Sequence, residues 1–271
     1  MKPKFIFISL LFFNLAFSQT HRFIYELEIR KQDDVNQIKM VLDIDQNFVK
    51  FYDYDFLDVD THRKSSGENR KTNSESDQLV IREINSFKNT SLHSFGYDYF
   101  AISSTDKIAW NLEKETKKNQ NYTLQKATGQ FGGRMWTAWF SNEIPFPEGP
   151  FKFKGLSGLI FEIYDTENSF HYNLVEIINL PETFDTTEFV ETYYGKKPIP
   201  IKLKQLHQLK LNYYHNIVED LNNFREKGGS ISSKNELDSK EKILQEKKTI
   251  QQSIKKYYLP LEKDKAINYP D

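Results

Sequence analysis

Residues 129–165 read GQFGGRMWTAWFSNEIPFPEGPFKFKGLSGLIFEIYD, and this order of glycines, prolines and aromatics decides the fold class. Gly132-Gly133 before Arg134 reads as a hairpin turn feeding a strand, with Arg134, Trp136 and Ala138 on one face and Met135, Thr137 and Trp139 on the other. The segment Pro145 to Gly158 holds three prolines and three glycines, which excludes an ordinary central strand. It predicts a fixed loop whose glycines adopt backbone angles closed to other residues, with Gly155 and Gly158 at a tight turn. Leu159-Ile160-Phe161-Glu162-Ile163 then reads as a strand. A phosphate-cradling loop would need a helix directly after the glycines, so nucleotide binding is not expected.

Outward from this segment the period-two pattern continues in both directions. Phe23, Tyr25, Leu27 and Ile29 alternate with polar neighbours, and runs Ile38 to Ile44 and Phe48 to Phe56 flank the turn-like Asp45-Gln46-Asn47, together suggesting a hairpin. Further runs cover Leu79 to Ile84, Tyr97 to Ser103, Lys107 to Leu112, Tyr122 to Ala127, Met135 to Phe140, Leu159 to Tyr164 and Phe170 to Ile178. Roughly ten short strands with short connections predict an α+β, mainly β fold: a large, curved, half-barrel-like antiparallel meander sheet. No helical pattern interrupts the strands, and residues 62–77 read as a solvated loop. After the break at Gly195 to Pro200, Leu206, Leu209, Tyr213, Ile217, Leu221 and Phe224 form the apolar stripe of an amphipathic helix ended by Gly228-Gly229. A second stripe, Ile243, Ile250, Ile254 and Tyr257, stops before Pro260. The expected organisation is a leader over 1–18, a β domain over 19–200 and a helical segment over 201–271, packed on or beside the sheet.

The central segment resembles the GLPGLI family of exported proteins from Bacteroidetes. The name motif is carried by Gly155-Leu156-Ser157-Gly158-Leu159-Ile160, with Ser157 where the family usually has Pro. The likeness extends to Gly133-Arg134, to Trp136-Thr137-Ala138-Trp139-Phe140, to Glu143-Ile144-Pro145 and to Gly149-Pro150-Phe151-Lys152-Phe153. Gly149, Pro150, Gly155, Leu156, Gly158 and Leu159 are its structural signature. The resemblance implies export but no particular activity.

Export is also predicted by the N-terminus. Lys2 and Lys4 precede an apolar run from Phe5 to Leu15, and Ala16-Phe17-Ser18 supplies small residues for cleavage after Ser18. The run is too short for a spanning helix. The chain contains no cysteine, which excludes disulfides, thiol catalysis and lipoprotein-type acylation. With 37 Lys and Arg against 38 Asp and Glu, neither nucleic acid nor an anionic membrane is an expected partner. The protein is expected to be periplasmic or secreted.

Chemistry-bearing motifs are sparse. Asp53, Asp55, Asp58 and Asp60 are the densest carboxylates, but alternation with Tyr52, Tyr54 and Phe56 reads as the wet face of a strand, and the glycine and terminal glutamate of a calcium loop are missing. The six histidines show no zinc spacing, and Gly155-Leu156-Ser157-Gly158 lacks the spacing and context of a serine nucleophile. No metal, cofactor or catalytic residue is assigned. Trp136 and Trp139 read first as core and second as a binding surface. In the second reading Arg134, Trp136, Trp139, Phe151 and Phe153 frame the ligand; Arg134 must reach water, stack on a ring or pair with an acid such as Glu143 or Glu162, since burying it unpaired is too costly. The leading function is non-enzymatic binding of a hydrophobic ligand or an envelope protein. The alternatives are an extracytoplasmic hydrolase with unrecognised carboxylates and a structural envelope component.

Overall fold

Alternation of buried and exposed side chains builds most of the chain into strands. The computed structural model describes residues 19–31, 34–226 and 240–270; the predicted leader and the Gly228-Gly229 helix stop lie outside the described residues. In chain order the elements are β1 (Thr20–Lys31), β2 (Asp34–Ile44), β3 (Phe48–Asp53), α1 (Asp55–Ser66), β4 (Leu79–Glu83), β5 (Lys88–Phe95) and β6 (Asp98–Thr105). They continue with β7 (Asn111–Asn119), β8 (Tyr122–Phe131), β9 (Arg134–Ser141), β10 (Leu159–Asp165), β11 (Phe170–Leu180), β12 (Ile199–Pro200), α2 (Leu203–Glu226) and α3 (Lys240–Tyr257). A π-helical turn, Thr187–Glu191, precedes β12.

The strands form one open, mainly antiparallel sheet of 12, ordered β12-β6-β5-β4-β3-β2-β1-β11-β10-β9-β8-β7. It is two meanders stitched together where β1 pairs with β11, and only β12 runs parallel to its neighbour. The sheet curls. Strands lie about 4.8 Å apart, so β3 and β11, three places apart, would be about 14 Å apart in a flat sheet; the rings of Phe51 and Tyr172 nevertheless meet at 6.3 Å.

The concave face holds the main core, including Phe23, Tyr25, Met40, Leu42, Trp136 and Tyr172. The predicted loop folds back into it. Phe153 fits between Trp136, at 4.4 Å, and Tyr172, at 6.1 Å, and Phe151 and Leu156 are buried beside it. Arg82 of β4 points to this face and meets Glu148 of the loop, donating from Nε at 2.9 Å and from Nη2 at 2.5 Å. Lys154 donates to the other Glu148 oxygen at 2.8 Å. The convex face of β1–β6 carries a second core, Ile24, Val41, Tyr52, Leu92 and Tyr99, covered by Phe56 and Leu57 of α1 and by Phe189 and Val190. At the β6 end Phe100 and Ile102 pack against Leu206 of α2. Gln251 of α3 donates to the Tyr214 carbonyl at 2.8 Å, joining α3 to α2.

Three sequence expectations are corrected. The aspartate-rich run is not the wet face of a strand: β3 ends at Asp53, and residues 55–66, which include the start of the supposed loop, are helical. Asp55 and Asp58 sit in the first turn of α1, where carboxylates suit the helix dipole, while Phe56, Leu57 and Val59 pack inward and Gly67, at φ 73°, closes the helix. A helix therefore does interrupt the strands. Residues 107–110 precede β7 rather than forming a strand, and their apolar side chains serve loop packing: Ile108 is buried, and Trp110 Nε1 donates to the Lys154 carbonyl at 2.9 Å. β7 itself is a charged, largely exposed edge strand, the composition that protects a sheet edge from pairing with another chain.

The two motif glycines are needed for different reasons. Gly155 has φ 95°. A Cβ on Gly158 would stand 1.9 Å from the Ser141 carbonyl oxygen. Gly158→Ala is therefore expected to cost roughly 3 kcal/mol, lowering the melting temperature by about 6–12 °C for a domain of this size. Exposed Ser157→Ala should stay within about 0.5 kcal/mol. Equal melting temperatures for the two variants would contradict this account of the loop.

Candidate functional site

The curled face is not filled along its whole length. Between the loop-plugged core and α2 lies a cavity of about 1260 Å³, walled by β5 and β6, the start of α2, residues 75–78 and the C-terminal tail, 257–269. Ser91 and His93 of β5 face it, as does Ile102 of β6.

One wall depends on Asp53. Its carboxylate accepts hydrogen bonds from the Ser74 and Ser76 hydroxyls, at 2.6 and 3.1 Å, and from the Glu75 and Ser76 amides, at 3.0 and 2.9 Å. Burial pushes this carboxyl up from its usual range, while these bonds pull the other way. The loop so organised presents Asp77 in the left-handed region, φ 54°, its amide held by Ser74 Oγ at 2.9 Å.

Asp77 gathers two side chains from separate elements. His93 Nδ1 donates to Oδ1 at 2.7 Å, and Lys210 Nζ of α2 lies 3.2 Å from Oδ2. His207 stands one turn before Lys210 on the same helix face and also lines the cavity. Asp77 retains 53% of its side-chain exposure and lines the cavity. Burial favours a protonated Asp77, but His93 and Lys210 outweigh it and hold the carboxyl well below the usual range. The His207 pKa is lowered, first by burial and then by the positive charges of Lys210 and His93. Nearby, burial and the neighbouring Tyr258, Asp77 and Tyr214 push Tyr269 up to about 12.

The tail that forms the third wall is clamped by the signature turn. Arg134 donates from Nε to the Leu261 carbonyl at 2.9 Å and from Nη2 to the Pro260 carbonyl at 3.0 Å, while Nη1 meets Asp165 at 2.7 Å and Glu167 at 3.3 Å. The Lys263 amide donates to the Gly132 carbonyl at 2.6 Å. A Cβ on Gly132 would come within 2.9 Å of the Glu262 backbone. Lys152 pairs with Glu262 at 2.6 Å, and Lys31 donates to the Tyr258 carbonyl at 2.6 Å.

The acid partners expected for Arg134 are corrected. Glu143 instead accepts from the Thr123 amide at 2.8 Å, and Glu162 pairs with Lys117 and His171. Register is the reason: Asp165 lies opposite Trp136, near the Arg134 end of β9, whereas Glu162 lies opposite Trp139.

Of the five residues predicted to frame a ligand, Phe151 alone borders the cavity. Arg134 acts on the cavity through the tail. Trp136 is 1% exposed and donates Nε1 to the Phe131 carbonyl at 3.0 Å, Phe153 is fully buried, and Trp139 is covered by Lys117 at 4.4 Å. Gly149 is crossed closely by Ile160, Pro150 accepts from the Phe153 amide at 3.0 Å, and Leu156 and Leu159 are buried. Asp77, His93, His207 and Lys210 were not singled out from sequence, since they are scattered over 133 positions and share no motif spacing. Among the described residues no group of three or more His, Asp or Glu side chains could hold a metal ion, and no helix is long and apolar enough to cross a membrane.

A family model described as "Protein of unknown function (Porph_ging)" matches residues 133–162, in keeping with the GLPGLI-type resemblance of that segment. No curated protein matches the chain. Among solved structures, "Structure of PNGF-II in P21 space group" is similar with a TM-score of 0.50 at 12% identity, covering 71% of this chain and 33% of that one. "Structure of PNGF-II in C2 space group" gives 0.49 and 13%, covering 69% and 32%. The chain thus spans about a third of the PNGF-II chain, and at this identity the likeness is one of fold alone.

Two outcomes follow. Arg134→Met strands the buried Asp165 and releases the tail, so denaturant titration should show a loss of about 3–5 kcal/mol, and hydrogen exchange over 259–269 should accelerate; unchanged exchange there would contradict the clamp. Acid tests Asp77. Its folded pKa is depressed, so its contribution is complete above the unfolded value of about 4 and is lost as pH falls through the folded value. Between about pH 5 and pH 2 the wild-type melting temperature should therefore fall further than that of Asp77→Asn.

Proposed function

We propose that this chain is an exported, non-enzymatic binding protein that holds a hydrophobic or amphipathic ligand in the cavity between the curled sheet, α2 and the tail. The observation that carries this reading is the cavity itself. At about 1260 Å³ it exceeds the usual 300–1000 Å³ of small-molecule sites. Ile29, Ile102, Phe170, Leu206 and Leu259 contribute apolar wall, and a compact polar group interrupts it. That combination of apolar surface with few convergent polar groups is typical of ligand sites. Export is supported by the leader-like N-terminus, and the family model adds no activity. An envelope protein remains the alternative occupant suggested by the sequence.

A hydrolase is the second reading, favoured by one observation. Because Asp77 accepts from Nδ1 of His93, the lone pair of the neutral ring lies on Nε2, as a general base requires. It predicts that a bound ester or amide is turned over, whereas the binding reading predicts that the ligand leaves unchanged.

Protein secreted from a host that processes its leader, purified without organic solvent and measured by native mass spectrometry, should carry a non-covalent adduct recoverable intact by extraction. Ser91→Phe, which projects bulk into the cavity from β5, should stay folded and lose the adduct. Absence of any adduct, together with failure of the delipidated protein to take up Nile red, would overturn the proposal. Recovery of a cleaved product would favour the hydrolase.

A further inference from the structure

We infer that the cavity accepts an acid-ended amphiphile, such as a long-chain carboxylate, with its anionic head at His93, His207 and Lys210. This inference rests on the binding reading above and adds the chemical class of the ligand.

Three groups able to carry positive charge converge around a single carboxylate. His93 and Lys210 share Asp77, at 2.7 and 3.2 Å on its two oxygens, so one negative charge is divided between two partners. His207 has no hydrogen-bond or ion-pair partner among the described residues, and its charged neighbours are Lys210 and His93. The affinity of His207 for a proton is lowered, first by burial and then by Lys210 and protonated His93, in keeping with a place where positive charge gathers. Such a place attracts an anion in a partly desolvated site, where a charge-assisted hydrogen bond is about twice as strong as a neutral one.

A second cation nearby reinforces the field. Lys31 Nζ is held by the backbone carbonyls of Tyr258 and Lys255, at 2.6 and 3.3 Å, and has no acid partner among the described residues. Carbonyl dipoles hold its position on the cavity wall, where Asp34 stands opposite it in the β1–β2 register. The other acids of the site are Asp34, exposed at the start of β2 opposite Lys31, Glu75, which accepts from Asn36 at 2.7 Å, and Glu262, which is bound to Lys152 and Lys265. An apolar tail fits the opposite demand of the walls, where Ile102, Phe170, Leu206 and Leu259 offer no polar group. Lys210 supplies a fixed charge, and either histidine donates once protonated.

The test uses the delipidated full-length mature protein, with palmitate, methyl palmitate and butyrate as probes, titrated by calorimetry near neutral pH. The wild type is expected to bind palmitate at least tenfold more tightly than methyl palmitate, and butyrate far more weakly than either. In Lys210→Met the preference for palmitate over its ester should collapse towards unity, and Lys210→Arg should keep most of it. His207→Phe provides a second variant should Lys210→Met fail to show a cooperative melt, and should reduce the same preference severalfold. Equal wild-type affinity for acid and ester would overturn the head-group assignment while leaving the binding reading intact. Butyrate binding as tightly as palmitate would overturn the amphiphile in favour of a small-anion site. Binding of none of the probes, with Nile red also excluded, would bring down the binding reading with it.

Discussion

The position of the central loop depends on one buried carboxylate. Glu148 is 1% exposed, and an ion so placed is tolerable only when its oxygens are fully engaged. Arg82 and Lys154 meet that demand and have their own remaining donors satisfied: Arg82 reaches the Phe151 carbonyl at 2.6 Å, and Lys154 reaches the Ser86 carbonyl at 2.8 Å. The arrangement ties β4 to both ends of the loop. An apolar cluster of similar volume could match it in stability, but it would not specify where the loop sits with the same directionality. With the loop placed, Phe153 reaches between Trp136 and Tyr172, and the curled sheet acquires a filled core over one half only.

The other half is closed by the tail, and here the signature turn has a second use. Gly132 and Gly133 leave room for the chain to pass, at φ 62° and 72°, and Arg134 binds two successive tail carbonyls. The guanidinium suits this task because its fixed fork can serve carbonyls and carboxylates at once. The signature segment therefore acts twice on the cavity: residues 145–158 set its inner boundary, and residues 132–134 hold its outer wall.

A cleft left open beside the core forgoes the dispersion and burial that packed side chains would supply. Strand β5 illustrates the point. Lys88–Phe95 places Asn89, Ser91 and His93 where a packed strand would carry aliphatic residues, because Ser91 and His93 border the cavity and Asn89 is spent on Asp106, donating at 3.0 Å. The strand went unread in the sequence for the same reason that makes it interesting.

Other elements differed in legibility according to what their side chains face. β1, β2 and β3 were readable because apolar and aromatic side chains recur at period two along them, although parts of β2 and β3 are buried on both faces, and the mainly antiparallel class followed from them. The special backbone of the Pro145 to Gly158 loop was readable in part, since prolines and glycines act locally: of the glycines expected at angles closed to other residues, Gly155 has positive φ, while Gly149 and Gly158 do not. The end of α3 at Tyr257, shortly before Pro260, came from helical spacing and the proline break. α1 was not readable, because Tyr52, Tyr54 and Phe56 mimic a strand when the helix buries successive residues beneath the π-helical turn. Nor were the pairings of Arg134 with Asp165, of Arg82 with Glu148, or of Asp77 with His93 and Lys210. Local chain preferences act over a few residues and are written in order along the sequence. Charge pairing and the cavity arise from strand register and the curl of the sheet, which bring residues as far apart as Asp77 and Lys210 together, and only the tertiary structure decided them.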